Sequence, residues 1–192
     1  NRLASNLDYL KYLNSENPED LDVDLLGLAR DIPSTPIPNY AFRNQGNLRF
    51  EDVSTAWGLA QEGFSTGAAY ADFNNDGAPD LAVNNIDQEA LIYRNNAHRQ
   101  TSNHFLSVEL DGPQDNRYGV GAKVTLSTPG GRTFYQEMMP ARGFQSSVEP
   151  ELHFGVGTAD TVSLKVTWPD QTQETRPTLS TDQTITLHHE DA

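Results

Sequence analysis

One short stretch of oxygen-bearing side chains places the strongest constraint on how this chain folds. Its sequence is Asp72-Phe73-Asn74-Asn75-Asp76-Gly77-Ala78-Pro79-Asp80. Asp72, Asn74 and Asp76 occupy relative positions one, three and five, and Gly77 permits a sharp turn directly after them. The segments before and after the stretch are short, apolar and strand-like, so we expect a loop that joins two β-strands.

The donor atoms of this loop suit calcium, a hard cation that takes six to eight oxygen ligands. The Ala78 carbonyl can serve at position seven, and a third carboxylate follows at position nine. The EF-hand motif fails, because the bidentate Glu expected at position twelve is Val83 and because the flanks are not helical. The sequence therefore predicts a structural calcium site with five ligands, which are Asp72, Asn74, Asp76, Ala78 and Asp80. An Asn- and Asp-rich turn without metal is the alternative.

The charge and cysteine content narrow the classes of function. The formal net charge is -14, which repels nucleic acid and anionic membrane surfaces. The chain has no cysteine, so a bound metal could supply the stability that disulfides give other exported domains.

No apolar run is as long as a membrane span, and we predict no membrane insertion. The chain opens on Asn1 without a signal peptide, so we expect a mature protein or an excised fragment.

Residues 1–38 are predicted to form short helices and a linker. Leucines at the start of the chain are spaced for one helix face. A second helix is indicated by Asn17 as its cap, Pro18 at its first position and Pro33 just after its end. The Pro-rich segment 33–38 is typical of an extended linker.

Residues 39–103 contain the start of a repeat. Phe42-Arg43-Asn44-Gln45 recurs 51 residues later as Tyr93-Arg94-Asn95-Asn96. This offset is close to the period of about 40–50 residues found in β-propeller blades. We therefore predict one propeller-type blade that carries the calcium loop. One blade cannot close a ring, so either further blades lie upstream or the blade packs on the C-terminal half of the chain.

Residues 104–192 are predicted to form a second all-β domain. Apolar residues alternate with polar ones around Leu106–Leu110, Val120–Leu126 and Val162–Trp168, and 183–187 supplies a last strand. Gly- and Pro-containing turns separate these segments. The pattern favours a small antiparallel β-sandwich or barrel with one solvated face. The whole chain is thus predicted to be mainly β.

Two known families resemble these two regions. The calcium loop followed by Leu81-Ala82-Val83 resembles the FG-GAP/VCBS repeat of integrin-type β-propellers. In that family such loops bind calcium, which implies the same role for the five predicted ligands of this loop. The motifs Asn116–Val124, Arg142–Ser147, Leu152–Gly157 and Val166–Asp170 are similar, in order, to an ASPIC/UnbV domain. The combination is that of cartilage acidic protein-like exported proteins, and the resemblance implies no established enzymatic activity.

A serine motif offers an alternative, because Gly63-Phe64-Ser65-Thr66-Gly67 matches the nucleophile elbow G-x-S-x-G. Asp80 and His153 could even complete a Ser, Asp and His order. An elbow needs a helix after the serine, whereas a strand leading into the calcium loop is predicted here. We therefore expect no active serine and no catalytic residue.

Further polar residues are candidates for binding. Arg142, Gln145 and Ser146 belong to a polar loop that also contains Phe144, and loops of this type carry binding function in β scaffolds. An ordinary loop of the sandwich is the alternative. His188 and His189 could take up a transition metal, but we expect a frayed chain end there.

The function predicted from the sequence is a non-catalytic, calcium-binding module of a secreted, periplasmic or cell-surface protein that binds an unknown protein or carbohydrate. One alternative is the scaffold part of a hydrolase acting on polysaccharide or ester, with Glu137, Glu149 and Glu151 as candidate acids. Another is an accessory protein of a biosynthetic or uptake complex.

Overall fold

A computed structural model describes residues 35–190, so the predicted helices at 1–34 lie outside the described residues. The described residues are mainly β, which confirms the predicted class. Their strands in chain order are β1 (Ile37–Pro38), β2 (Phe42–Gly46), β3 (Arg49–Asp52), β4 (Glu62–Gly63), β5 (Ser65–Ala71), β6 (Asp80–Asn85), β7 (Leu91–Tyr93), β8 (His104–Asp111), β9 (Lys123–Ser127), β10 (Thr133–Glu137), β11 (Ala141–Gly143), β12 (Ser146–Ser147), β13 (Glu151–Gly157), β14 (Thr161–Thr167), β15 (Gln173–Ser180) and β16 (Gln183–His188). A four-residue helix, α1 (Ala97–Gln100), precedes β8, and a 3-10 turn spans Gln114–Asn116.

The described residues divide into two compact units, one that ends at Gly63 and one that begins at Phe64. In the first unit, β2 pairs antiparallel with β3, and β1 pairs antiparallel with β4. Ser54 is buried after β3, where its hydroxyl oxygen accepts a hydrogen bond from the Ala41 N–H at 2.7 Å. The Asp52 carboxylate accepts the Ser54 N–H at 2.9 Å and thereby holds the serine in place.

The second unit begins with a three-stranded antiparallel sheet in the order β5-β6-β7. The strands between residues 37 and 93 thus form three separate sheets of two, two and three strands in the described part of the chain. The propeller blade therefore stays a prediction.

Two further sheets of the second unit face each other across a hydrophobic core. Their strand orders are β10-β9-β14-β15 and β13-β8-β16. Apolar and polar residues alternate along these strands, so every second side chain points into the core. Strand β14 shows this pattern, because every second residue in it is buried. Central to this core are fully buried side chains from both sheets, which include Leu106, Val124, Leu152, Phe154, Leu164 and Val166.

The structure decides between the predicted sandwich and the predicted barrel, and it corrects the predicted antiparallel pairing. Neither sheet closes on itself within the described residues, so the arrangement is a sandwich and not a barrel. In addition, β16 pairs with β8 in parallel, with Gln183 opposite Leu106 and His188 opposite Asp111. The parallel direction follows from a contact of Asp182, whose backbone N–H donates to the Phe105 carbonyl at 2.7 Å. This contact sets the start of β16 beside the start of β8, so the two strands run in the same direction.

Candidate functional site

The predicted calcium loop connects the antiparallel strands β5 and β6, as the sequence indicates. Ala71, the last residue of β5, pairs with Asp80, the first residue of β6. Two residues inside the loop have a left-handed backbone, Asn75 with φ of 55° and Gly77 with φ of 82°. Only residues that tolerate this conformation can reverse the chain so tightly, which explains an Asn and a Gly at these two positions.

Side-chain oxygens of the loop hold its backbone in shape. The Asp72 carboxylate accepts the N–H of Asp76 at 3.1 Å on Oδ1 and the N–H of Gly77 at 2.7 Å on Oδ2. Asn74 Oδ1 also accepts the Asp76 N–H at 3.1 Å. The first two predicted ligands are therefore drawn toward the centre of the turn by the backbone that follows them.

Asp76 and Asp80 are held by residues that were not predicted as part of the site. Asp76 Oδ2 lies 3.2 Å from Arg94 Nη2 and 3.1 Å from His98 Nδ1. The Asp80 side chain is buried, and its Oδ1 accepts the N–H of Asn95 at 2.7 Å. The repeat start Tyr93–Asn96 was the sequence signal that could have identified Arg94 and Asn95, whereas His98 had none.

The electrostatic surroundings keep Asp76 ionised. Burial pushes the pKa of Asp76 upward, but Arg94, Asn74, His98 and the Ala78 N–H outweigh this effect in that order. The pKa of Asp76 consequently lies below its usual value.

The donor chemistry of the loop fits a hard divalent cation. It combines three carboxylates, one amide oxygen and one carbonyl oxygen within nine residues. Among the residues described, no three His, Asp or Glu side chains converge closely enough to hold a metal by themselves. The assignment of Asp72, Asn74, Asp76, Asp80 and the Ala78 carbonyl as ligands of an ion therefore stays a prediction.

The loop packs against the outer face of the β13-β8-β16 sheet. A Cβ built on Gly77 would lie 2.1 Å from Cε1 of Phe105, the second residue of β8. Phe105 in turn stacks on the ring of His153, with ring centroids 5.4 Å apart, and His153 Nδ1 lies 3.0 Å from Ser107 Oγ. Burial lowers the pKa of His153, while the Asp72 carboxylate opposes that shift. The loop and the sandwich are therefore in direct contact.

The predicted polar loop forms one wall of a cleft. Phe144 and Gln145 connect β11 to β12, and Gln145 has a left-handed φ of 48°. Phe144 is 75% exposed, while Ser146 packs so tightly on β5 that a Cβ on Gly67 would lie 2.5 Å from its hydroxyl oxygen. A cavity of about 310 Å³ is bordered by Phe144, Gln145 and Ser146 together with β5 and β6. Arg142 is exposed and does not border this cavity.

The residues of the alternative serine site have other partners in the described structure. Ser65 begins β5, and its hydroxyl donates to Asn85 Oδ1 at 2.8 Å. Asp80 accepts from Asn95, and the His153 ring contacts Ser107. The strand that follows Ser65 is the one predicted, so the elbow geometry is not formed here.

The candidate acids of the hydrolase alternative separate into two places. Glu149 and Glu151 border a polar cavity of about 290 Å³ together with Asp72 and Glu109. Glu137 is not among the residues around that cavity, and its Oε2 accepts a hydrogen bond from the Tyr135 hydroxyl at 3.5 Å.

The expectation of a frayed end at His188 and His189 was wrong. His188 Nδ1 lies 2.9 Å from Asp111 Oδ2. His189 is 7% exposed, and its Nε2 lies 3.1 Å from Asp170 Oδ2, while its ring meets Trp168 edge-on at 5.0 Å. The two histidines thus fasten the end of β16 to both sheets of the sandwich.

No helix in the described part of the chain has the length and apolar character needed to cross a membrane.

Models of two protein families match parts of the chain. A model described as ASPIC and UnbV matches residues 112–192. A model described as FG-GAP-like repeat matches residues 19–83, a range that includes the loop and begins upstream of the predicted boundary at 39. The division into 1–38, 39–103 and 104–192 stays a prediction.

Curated relatives with similar sequences are named cartilage acidic protein 1. The mouse protein (Mus musculus) is 27% identical over 176 residues, which cover 90% of this chain and 27% of the relative. The human protein (Homo sapiens) is 27% identical over 159 residues, which cover 81% of this chain and 24% of the relative. The Xenopus tropicalis protein is 27% identical over 162 residues, which also cover 81% of this chain and 24% of the relative. This chain therefore spans about a quarter of the length of these relatives. Residues 19–83 are thus similar to an FG-GAP-like repeat and residues 112–192 to an ASPIC and UnbV domain, and most of the chain is similar in sequence to part of cartilage acidic protein 1.

Proposed function

We propose that this chain is a non-catalytic, calcium-binding module of a secreted, periplasmic or cell-surface protein, and that it mediates adhesion through a protein or carbohydrate ligand. The observation that carries the proposal is the loop between β5 and β6, in which five oxygen donors alternate around a glycine turn. The FG-GAP-like repeat and the ASPIC and UnbV domain support a module of the extracellular type.

Calcium has a structural role in this proposal. Three carboxylates lie within nine residues of a chain that already has a net charge of -14, and a divalent cation offsets their repulsion. Because the loop also packs on Phe105, an ion in the loop stiffens the contact between loop and sandwich. Calcium at 100 times its Kd would stabilise the folded state by about 2.7 kcal/mol if only that state binds it.

The blade belongs to the same proposal. Strands β5, β6 and β7 would form part of a propeller-type blade, and the three quarters of the relatives' length that this chain does not match leave room for the other blades.

The ligand surface is proposed at the cleft beside Phe144. An exposed aromatic ring next to hydroxyl and amide groups suits the apolar face and the hydroxyls of a sugar, or an aromatic contact with a protein. None of the residues around this cleft is charged.

The calcium proposal is tested by thermal unfolding of the full chain in calcium and in chelator. We expect a higher Tm in calcium, and we expect Asp76→Ala to abolish the difference. Glu89→Ala removes the same charge from an exposed residue outside the loop and should keep the difference. A Tm that calcium leaves unchanged in the unsubstituted protein would contradict the site.

The ligand proposal is tested by binding to a panel of immobilised glycans and matrix proteins. We expect binding without turnover, and we expect Phe144→Ala to weaken it by about tenfold or more. Tyr135→Ala, which removes another exposed ring, should leave binding unchanged. Saturable hydrolysis of a glycan or an ester would support the hydrolase alternative instead.

A further inference from the structure

Arg94 and Asn95, which belong to the second copy of the repeat start, contact the predicted calcium loop between β5 and β6. Arg94 Nη2 donates to Asp76 Oδ2 at 3.2 Å. The next residue, Asn95, donates its backbone N–H to Asp80 Oδ1 at 2.7 Å and its side-chain amide to the Pro79 carbonyl at 3.2 Å. Two consecutive residues therefore engage two of the three loop carboxylates.

Both oxygens of Asp76 are occupied by groups of the protein. Oδ1 accepts the Ala78 N–H at 3.2 Å, and Oδ2 faces Arg94 and His98. The Asp76 side chain is 15% exposed, so the neighbouring positive charge acts on it with less screening than on a fully exposed acid. Asp76 and His98 also border a cavity of about 570 Å³, which gives an ion a path to this carboxylate.

We propose that Arg94 is a built-in counter-cation of the loop, which neutralises Asp76 when calcium is absent and which calcium must displace. The inference rests on the proposed function. Its physical basis is that a guanidinium and a divalent ion on the same carboxylate repel each other, so the presence of Arg94 lowers the affinity for calcium. Arg94 thus sets the calcium concentration at which the loop fills.

The other repeat copy provides a matched control. Arg43 occupies the position that corresponds to Arg94, but its guanidinium pairs with Glu51 of its own hairpin at 2.7 Å. Both of these side chains are about half exposed. Arg43→Gln therefore removes the same charge from the same sequence motif, and the ion pair that it breaks is with Glu51 and not with a carboxylate of the loop.

The first test is calorimetric titration of the full chain with calcium chloride. We expect Arg94→Gln to tighten the Kd by about two- to fivefold, the range that a partly exposed ion pair can supply. Arg94→Lys keeps the charge and should bind calcium much as the unsubstituted chain does, and so should Arg43→Gln. Binding by Arg94→Gln that is weaker than or equal to that of the unsubstituted chain would overturn the inference, because Arg94 would then support the ligands and not compete with the ion.

A second readout needs no calcium. In chelator we expect Arg94→Gln to melt about 1–4 °C below the unsubstituted chain, since Asp76 loses the guanidinium that pairs with it, whereas Arg43→Gln should have a smaller effect. If the unsubstituted chain bound no calcium, the proposed function would fail and the competition between Arg94 and calcium would fail with it, and a lower Tm of Arg94→Gln in chelator would then show only that Arg94 neutralises Asp76. If Arg94→Gln neither melted lower in chelator nor bound calcium more tightly, the inference would fail and calcium binding would be unaffected.

Discussion

Gly77, in the loop between β5 and β6, lies directly against the ring of Phe105, so closely that a Cβ at this glycine would come within 2.1 Å of Cε1 and 2.6 Å of Cδ1. The contact joins the loop between β5 and β6 to the first strand of the sandwich. Two features therefore require glycine at position 77. Its backbone has a left-handed φ of 82°, and the Phe105 ring leaves no space for a side chain. The same residue shapes the candidate site and connects it to the hydrophobic domain.

Substitution of this glycine should be costly. We expect Gly77→Ala to lower the free energy of unfolding by about 2–4 kcal/mol, because backbone strain adds to overpacking against the ring. Gly131→Ala is the matched control, since Gly131 has a φ of 79° but no atom within 4 Å of its would-be Cβ, and it should cost only about 1 kcal/mol. Urea unfolding measures both. Equal losses would show that the Phe105 contact contributes nothing.

The parallel pairing of β16 should depend on Asp182. Its carboxylate accepts the Phe105 N–H at 3.2 Å and contacts His104 Nδ1 at 2.6 Å, and its φ is 59°. We expect Asp182→Ala to lower the free energy of unfolding by about 1.5–3 kcal/mol, and Asp182→Asn to lower it less, because Asn keeps an acceptor and tolerates this φ. Asp160→Ala removes a 92% exposed carboxylate 3.5 Å from His104 Nε2 and should change stability by less than about 0.5 kcal/mol. The prediction fails if the two alanine variants unfold alike.

Stability should fall in mildly acidic solution because of His153. Its pKa in the folded state lies below the 6.5 of an unperturbed histidine, so below that pH the unfolded chain binds more protons than the folded chain. Stability is therefore lost as the pH falls from neutral through this window. We expect His153→Asn, which keeps a hydrogen-bonding partner for Ser107, to flatten the dependence of Tm on pH between about 7.5 and 5.5 in chelator. A variant with the full acid sensitivity of the unsubstituted chain would assign the effect to other groups.

Ser65 should matter for stability and not for chemistry. Its hydroxyl donates to Asn85, which is 8% exposed, so Ser65→Ala should lower the free energy of unfolding by about 1 kcal/mol. We expect no ester hydrolysis by either protein in a chromogenic ester assay. Turnover by the unsubstituted chain that disappears in Ser65→Ala would reverse this assignment.

Local patterns predicted much of the fold. The alternation of apolar and polar residues from Val162 to Trp168 predicted β14. The apolar residues on either side of the predicted calcium loop predicted the ends of β5 and β6. These predictions succeeded because the period of two and the turn residues act within a few neighbouring residues. The parallel β16 was missed because antiparallel hairpins are the usual outcome of short turns, and the contact that overrides them joins Asp182 to Phe105, 77 residues away.

The amino-acid sequence was sufficient to define the oxygen-rich loop, its strand flanks and the resemblance to two families, because each of these depends on residues that are close in sequence. The tertiary structure alone showed that Arg94 and His98 reach Asp76 and that His189 is buried against Trp168. It also brought Gly77 onto Phe105. These relationships depend on which surfaces meet when the sheets pack, and packing is governed by the total burial of many distant side chains and not by any local pattern.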